Sequence, residues 1–95
     1  MISLRKVEIA KEIKALQARI RKLGPVMRGS VTIMGKKNKQ PYFSVSMGGK
    51  TKVVYLGDKR AAKAKIYTEN YKVMMAIIDE MTLLQMELLK LEGKE

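Results

Sequence analysis

The sequence predicts an α+β fold: a helix over 2–23, a three-stranded antiparallel meander over 28–56 and a longer helix over 59–92. Three observations predict it. Apolar residues recur at steps of three and four near both ends of the chain. Between those stretches the pattern changes to alternation with a period of two. Gly24-Pro25, Gly48-Gly49 and Gly57 mark the points where one pattern gives way to the next. The 95 residues make one small domain, 1–95, with room for only a modest core.

In the first helix Ile2, Ile9, Ile13, Leu16, Ile20 and Leu23 form a heptad seam, interrupted once at Lys6. Gly24 suits a helix C-cap, and Pro25 cannot continue the helix. The other faces carry Arg5, Lys11, Lys14, Arg19, Arg21 and Lys22.

"RGSVTIM" sets Val31 and Ile33 on one face and Ser30 and Thr32 on the other. "GKKNK" reads as a loop. "PYFSVSM" groups Phe43, Val45 and Met47 and leaves Tyr42, Ser44 and Ser46 opposite. Gly48-Gly49 is a hairpin turn signal, and "KTKVVYL" supplies the third strand. There the facing stays open, because Val53 and Val54 are adjacent. Lys50 and Lys52 go with Val54, whereas Thr51 and Tyr55 go with Val53. A sheet of three strands with one apolar face needs a helix to cover that face.

Asp58 is placed to cap the last helix, its charge favourable at the positive helix end. Met74, Ile77, Met81, Leu84, Leu88 and Leu91 form its seam, and Met75, Ile78 and Leu89 widen it. The two seams are expected to pair as an antiparallel coiled coil. The second helix would run about 50 Å against about 30 Å for the first. Its wider apolar face would leave surface uncovered in a monomer. A homodimer is therefore expected, with Met74, Ile77, Met81, Leu84, Leu88 and Leu91 at its interface.

The chain has no Cys and no His, which removes thiol and imidazole metal sites, Cys nucleophiles and His general bases. "MGGK" lacks the spacing of a phosphate-binding loop. Asp79 and Glu80 are adjacent on a helix and point about 100° apart. Glu69, Asp79, Glu80 and Glu87 would hold a metal only with help from another chain. No Ser has a visible base partner. The expectation is a protein that is not an enzyme, with no cofactor and no metal. Residues 1–23 carry charges throughout and have no apolar signal core. No apolar run reaches membrane-spanning length, and no basic helix face carries Trp or Phe anchors. A cytoplasmic protein without a membrane partner is expected.

Charge is the most informative signal. There are 20 Lys and Arg against 9 Asp and Glu, a net +11. Residues 1–27 balance at +5, 28–65 at +9 and 66–95 at −3. Such polarisation is the footprint of a polyanion ligand. A small sheet can enter a major groove. The candidate nucleic-acid-binding residues are Arg28, Lys36, Lys37, Lys39, Tyr42, Ser44, Lys50, Lys52, Lys59, Arg60 and Lys63. Edge lysines also guard small sheets against aggregation, which is the bland reading of the same residues. Tyr42 is either a stacking platform or, more commonly, a partner for its cross-strand neighbour.

"RGSVTI…QPYFSVSMGGKTKVVYLGDKRAAKAKIYTENY" resembles a family of small uncharacterised prokaryotic proteins encoded beside transposases. That family shows a Gly-Ser strand start, a Pro-Tyr strand, a "GGKT" turn and an "ENY" helix. Its loop holds closely spaced Cys residues where this chain has "GKKNKQ", so any metal site of the family is absent here. The resemblance implies a mobile-element or viral context. More loosely, "GSVTIMGKKN…YFSVSMGGKTKVVYLGDKRAAKA" is similar to the arm-site DNA-binding domain of tyrosine recombinases, whose sheet docks in the DNA major groove. That similarity implies Tyr42, Ser44, Lys50 and Lys52 near a duplex.

The function expected is a small basic nucleic-acid-binding protein, dimeric, with double-stranded DNA favoured over RNA. The alternative is an adaptor or inhibitor whose basic surface meets an acidic protein partner.

Overall fold

A computed structural model describes residues 4–93. Ile2, the first member of the predicted seam, lies outside the described residues. The elements run α1 (Leu4–Arg21), β1 (Ser30–Met34), β2 (Gln40–Met47), β3 (Lys50–Tyr55) and α2 (Gly57–Glu92). The predicted order and class hold throughout. These elements form two compact units. Among the described residues one joins 4–23 to 73–93, and the other is Gly24–Lys72.

In the helical unit, α1 buries Ile9, Ile13 and Leu16, spaced by four and three, and α2 buries Ile77. Each such side chain stabilises by roughly 1.5–3 kcal/mol when removed from water. Arg5, early in α1, bonds Glu87, late in α2. Glu12, Leu16 and Arg19 share one groove with Glu80 and Leu84. Low numbers on α1 therefore meet high numbers on α2, and the helices run antiparallel. Arg5 forms a fork, with Nε donating to Glu87 Oε1 at 3.0 Å and Nη2 donating to Oε2 at 2.7 Å. Its Nη1 donates to Glu8 at 3.2 Å and lies 3.9 Å from Glu12. These bonds, Glu87 first, raise the Arg5 pKa and hold the Glu87 carboxyl below its ordinary value. α1 ends at Arg21, two residues short of the predicted Leu23. Leu23 N–H donates to the Ile20 carbonyl, and Gly24 turns the chain at φ 81°.

The sheet has strand order β1-β2-β3, all antiparallel. Gly48 and Gly49, at φ 57° and 78°, make the β2–β3 turn with two positive φ values, as a tight hairpin requires. The register resolves the facing that the sequence leaves open. Val31 pairs with Phe43 and Phe43 with Val54. Ser30 pairs with Ser44 and Ser44 with Val53. Directly paired residues share a face.

Leu56, Ala61 and Ala64 form the core of this unit, packed with Met27, Val31 and Phe43. The first part of α2 therefore covers the Val31–Phe43 face, and alanines at a spacing of three let the helix come close. Backbone ties support it: Met27 N–H donates to the Tyr67 carbonyl at 3.1 Å, and Asn70 Nδ2 donates to the Pro25 carbonyl at 2.9 Å. Coverage stops short of β3, whose six residues are all exposed. α2 begins at Gly57, so Asp58 sits inside the first turn rather than ahead of it as a cap. Its charge still faces the positive end of the helix.

Gly29 precedes β1 with φ 144°, and a Cβ there would lie 2.5 Å from the Phe43 ring and 2.6 Å from the Ser44 carbonyl oxygen. Backbone cannot yield as a flexible side chain does. Gly29→Ala is expected to destabilise the Gly24–Lys72 unit by about 2–3 kcal/mol, read from the denaturant midpoint. An unchanged midpoint would contradict this packing.

A second expectation concerns acid. Glu87 has a lowered folded pKa, so its contribution is complete above the unfolded carboxylate value of about 4.3 and fades as pH falls through the lower folded value. Glu87→Gln should show a smaller drop in Tm than wild type between about pH 5 and about pH 3.

Candidate nucleic-acid interface

By register, the face of the sheet turned away from α2 carries Ser30, Thr32 and Met34 from β1, Gln40, Tyr42, Ser44 and Ser46 from β2, and Thr51, Val53 and Tyr55 from β3. Hydroxyl groups dominate it. Tyr42 and Tyr55, directly paired, meet edge to face with ring centroids 5.4 Å apart and planes at 65°. Tyr55 OH donates to Gln40 Oε1 at 3.2 Å. Tyr42 thus packs against its cross-strand neighbour, which fixes both rings in place and leaves Tyr55 half exposed.

Cations stand at both ends of this face. Lys36, Lys37 and Lys39 occupy the exposed loop between β1 and β2, beside Gln40. At the far end of β2, Arg28 donates to the Ser46 carbonyl at 2.9 Å. The eight residues of β2 span about 26 Å between these ends.

The remaining predicted residues lie elsewhere. Lys50 pairs with Met47 and Lys52 with Val45, a residue 9% exposed. Both lysines therefore belong to the helix-covered side of the sheet, on the part of β3 that the helix leaves open. Lys59, Arg60 and Lys63 are exposed on the opening turns of α2. Arg60 Nε donates to the Leu56 carbonyl at 2.7 Å, and Arg60 and Lys63 border a small cavity with Met27, Leu56 and Tyr67. The eleven candidates thus divide between two sides of one sheet. Tyr42 and Ser44 share the free face, Arg28 and the three loop lysines stand at its opposite ends, and Lys50 and Lys52 do not join Tyr42 and Ser44 there.

Two cations are missing from the sequence-based set. Lys65 and Lys72, seven residues apart on α2, border a cavity of about 380 Å³ with Ser30, Thr68 and Glu69. Their spacing, two helical turns, is the signal that could have found them.

Charge follows the units. Gly24–Lys72 carries eleven basic and two acidic residues, a balance of +9, whereas 1–23 with 73–95 carries nine and seven, a balance of +2. Among the described residues, no Lys or Arg of Gly24–Lys72 is in an ion pair, while Arg5 in the helical unit has three carboxylates around it. The sheet-bearing unit therefore presents its positive charge without internal neutralisation.

The expected dimer residues also have a definite place. Ile77 is 2% exposed within the single chain, and Met74, Met81, Leu84, Leu88 and Leu91 are half-buried. The apolar residues that α2 leaves exposed in this half are Met75, Ile78, Leu83, Met86 and Leu89. Among the described residues no helix is long and apolar enough to cross a membrane. No family model, curated protein or solved structure matches this chain.

Proposed function

We propose that the Gly24–Lys72 unit binds double-stranded DNA by laying the free face of its sheet in the major groove. The observation that carries this reading is a hydroxyl-lined face bounded at both ends by cations that no carboxylate neutralises. A major groove is about 12 Å wide and β2 is about 26 Å long, so a sheet laid across the groove reaches past both of its edges, toward the phosphates on either side. In this mechanism Lys36, Lys37, Lys39 and Arg28 hold the backbone, and Thr32, Ser44 and Ser46 meet base edges. Lys50, Lys52, Lys59, Arg60 and Lys63, on the other side, add long-range attraction. Duplex RNA is the poorer ligand, since its major groove is too deep and narrow for a sheet. The helical pair is read as an antiparallel coiled coil. The resemblance to proteins encoded beside transposases supports a mobile-element or viral setting.

A second reading has its own observation. β3 is an open edge with Val53, Val54 and Tyr55 about half exposed and lysines alongside. A strand from an acidic protein could add there.

Salt separates the two. Duplex affinity is expected to fall steeply with ionic strength, and changing Lys36, Lys37 and Lys39 together to Ala should reduce the log–log slope by about 0.9 for each phosphate no longer neutralised. Fluorescence anisotropy with duplex DNA, single-stranded DNA and duplex RNA at several salt concentrations measures both. A flat dependence favours the protein partner.

The faces are separated by mutation. Ser44→Glu, on the free face, should weaken duplex binding more than Lys52→Glu on the helix side. The reverse order would move the contact surface to β3 and α2.

A further inference from the structure

The distal half of α2 carries a second apolar stripe, distinct from the seam that faces α1. Met75, Ile78, Met86 and Leu89 are between 36% and 65% exposed. At 100° per residue they cluster about 130° around the helix from Ile77 and its companions. Thr82 lies within the stripe, and Asp79 and Gln85 flank it on opposite sides, each about 60° from its centre.

The spacing of the stripe is symmetric. Ile78 and Met86 lie four residues either side of Thr82, and Met75 and Leu89 lie seven either side. Steps of four and seven return to the same helical face. An antiparallel copy of this helix, centred on Thr82, would therefore set Met75 against Leu89, Ile78 against Met86 and Thr82 against itself. That is the condition for an isologous contact, in which each residue meets its counterpart twice about a two-fold axis.

The area agrees. Four side chains at these exposures present on the order of 400 Å² of apolar surface, the scale at which a patch marks an interaction site. Two such faces with their polar rims would bury about 1,200 Å² in total, the lower end of specific interfaces. We infer that two copies of this chain pair their α2 helices antiparallel along Met75, Ile78, Met86 and Leu89, with the two-fold axis at Thr82. This dimer is independent of the nucleic-acid reading. It uses a surface beside the seam rather than the seam itself.

The test uses the full chain. Sedimentation velocity from about 1 to about 100 µM should show a monomer–dimer equilibrium, consistent with a modest interface. Ile78→Asp should weaken dimerisation about 100-fold by burying an unpaired charge. Leu83→Asp, at a residue 67% exposed but off the stripe, should leave it unchanged. Because the chain has no Cys, Thr82→Cys introduces a lone thiol, and oxidation should trap a covalent dimer. Leu83→Cys should not be trapped. The cross-link decides the matter even if Ile78→Asp loses helical circular dichroism. A monomer at every concentration overturns the inference. So does a dimer that Leu83→Asp dissociates, or one that Leu83→Cys traps as readily as Thr82→Cys.

Discussion

The alignment of Phe43 with Val31 on one side and Val54 on the other governs what the sheet offers to solvent. Once those three share a face, the period-two pleat assigns every other side chain. Val31 and Phe43 join Leu56, Ala61 and Ala64 in the core. The hydroxyl row, the two tyrosines and Gln40 are then forced to the opposite side. Gly29 guards the same alignment, since the Phe43 ring occupies the volume where its side chain would be. A slip of one residue would bury Ser44 and Tyr42 and turn Phe43 outward, so packing and surface chemistry are a single choice.

The two units manage charge in opposite ways. The helical unit neutralises itself: Arg5 gathers Glu8, Glu12 and Glu87, and the Glu87 carboxyl is held ionised by that contact. All these groups are substantially exposed, so the network guides how α1 and α2 align more than it adds stability. The sheet-bearing unit contains only Asp58 and Glu69 as acids. Among the described residues none of its lysines is in an ion pair with either acid. Attraction for a polyanion is the property that such a surface retains, and the flat hydroxyl face provides a place for close contact.

Much of this is legible in the sequence. The glycine pairs locate the turns, since a tight hairpin demands positive φ at Gly48 and Gly49. The steps of three and four locate both helices, and alternation separates Ser44 from Phe43. Legibility fails where two adjacent positions are chemically alike. Val53 and Val54 read equally well as inward, and only pairing with Ser44 and Phe43 assigns them. That ambiguity lets the sequence group Lys50 and Lys52 with Tyr42 and Ser44, from which the register separates them. The heptad seam of α2 poses a different problem. Leucines at a seam look the same whether α1 or a second copy covers them, so the interface expected at Met74–Leu91 rests on a face that is already half-buried within the chain. The weaker stripe beside it is visible in the sequence only as a broadening.

A balance of +9 within the 49 residues of Gly24–Lys72 has a consequence for the unit alone. Crowded like charges repel one another in the compact state and relax when the chain expands. Dissolved ions soften that repulsion over a distance of about 10 Å at 0.1 M. Added electrolyte should thus tighten the fold of this half while loosening its hold on any polyanion, so that conformational stability and ligand affinity respond to the same buffer in opposite directions.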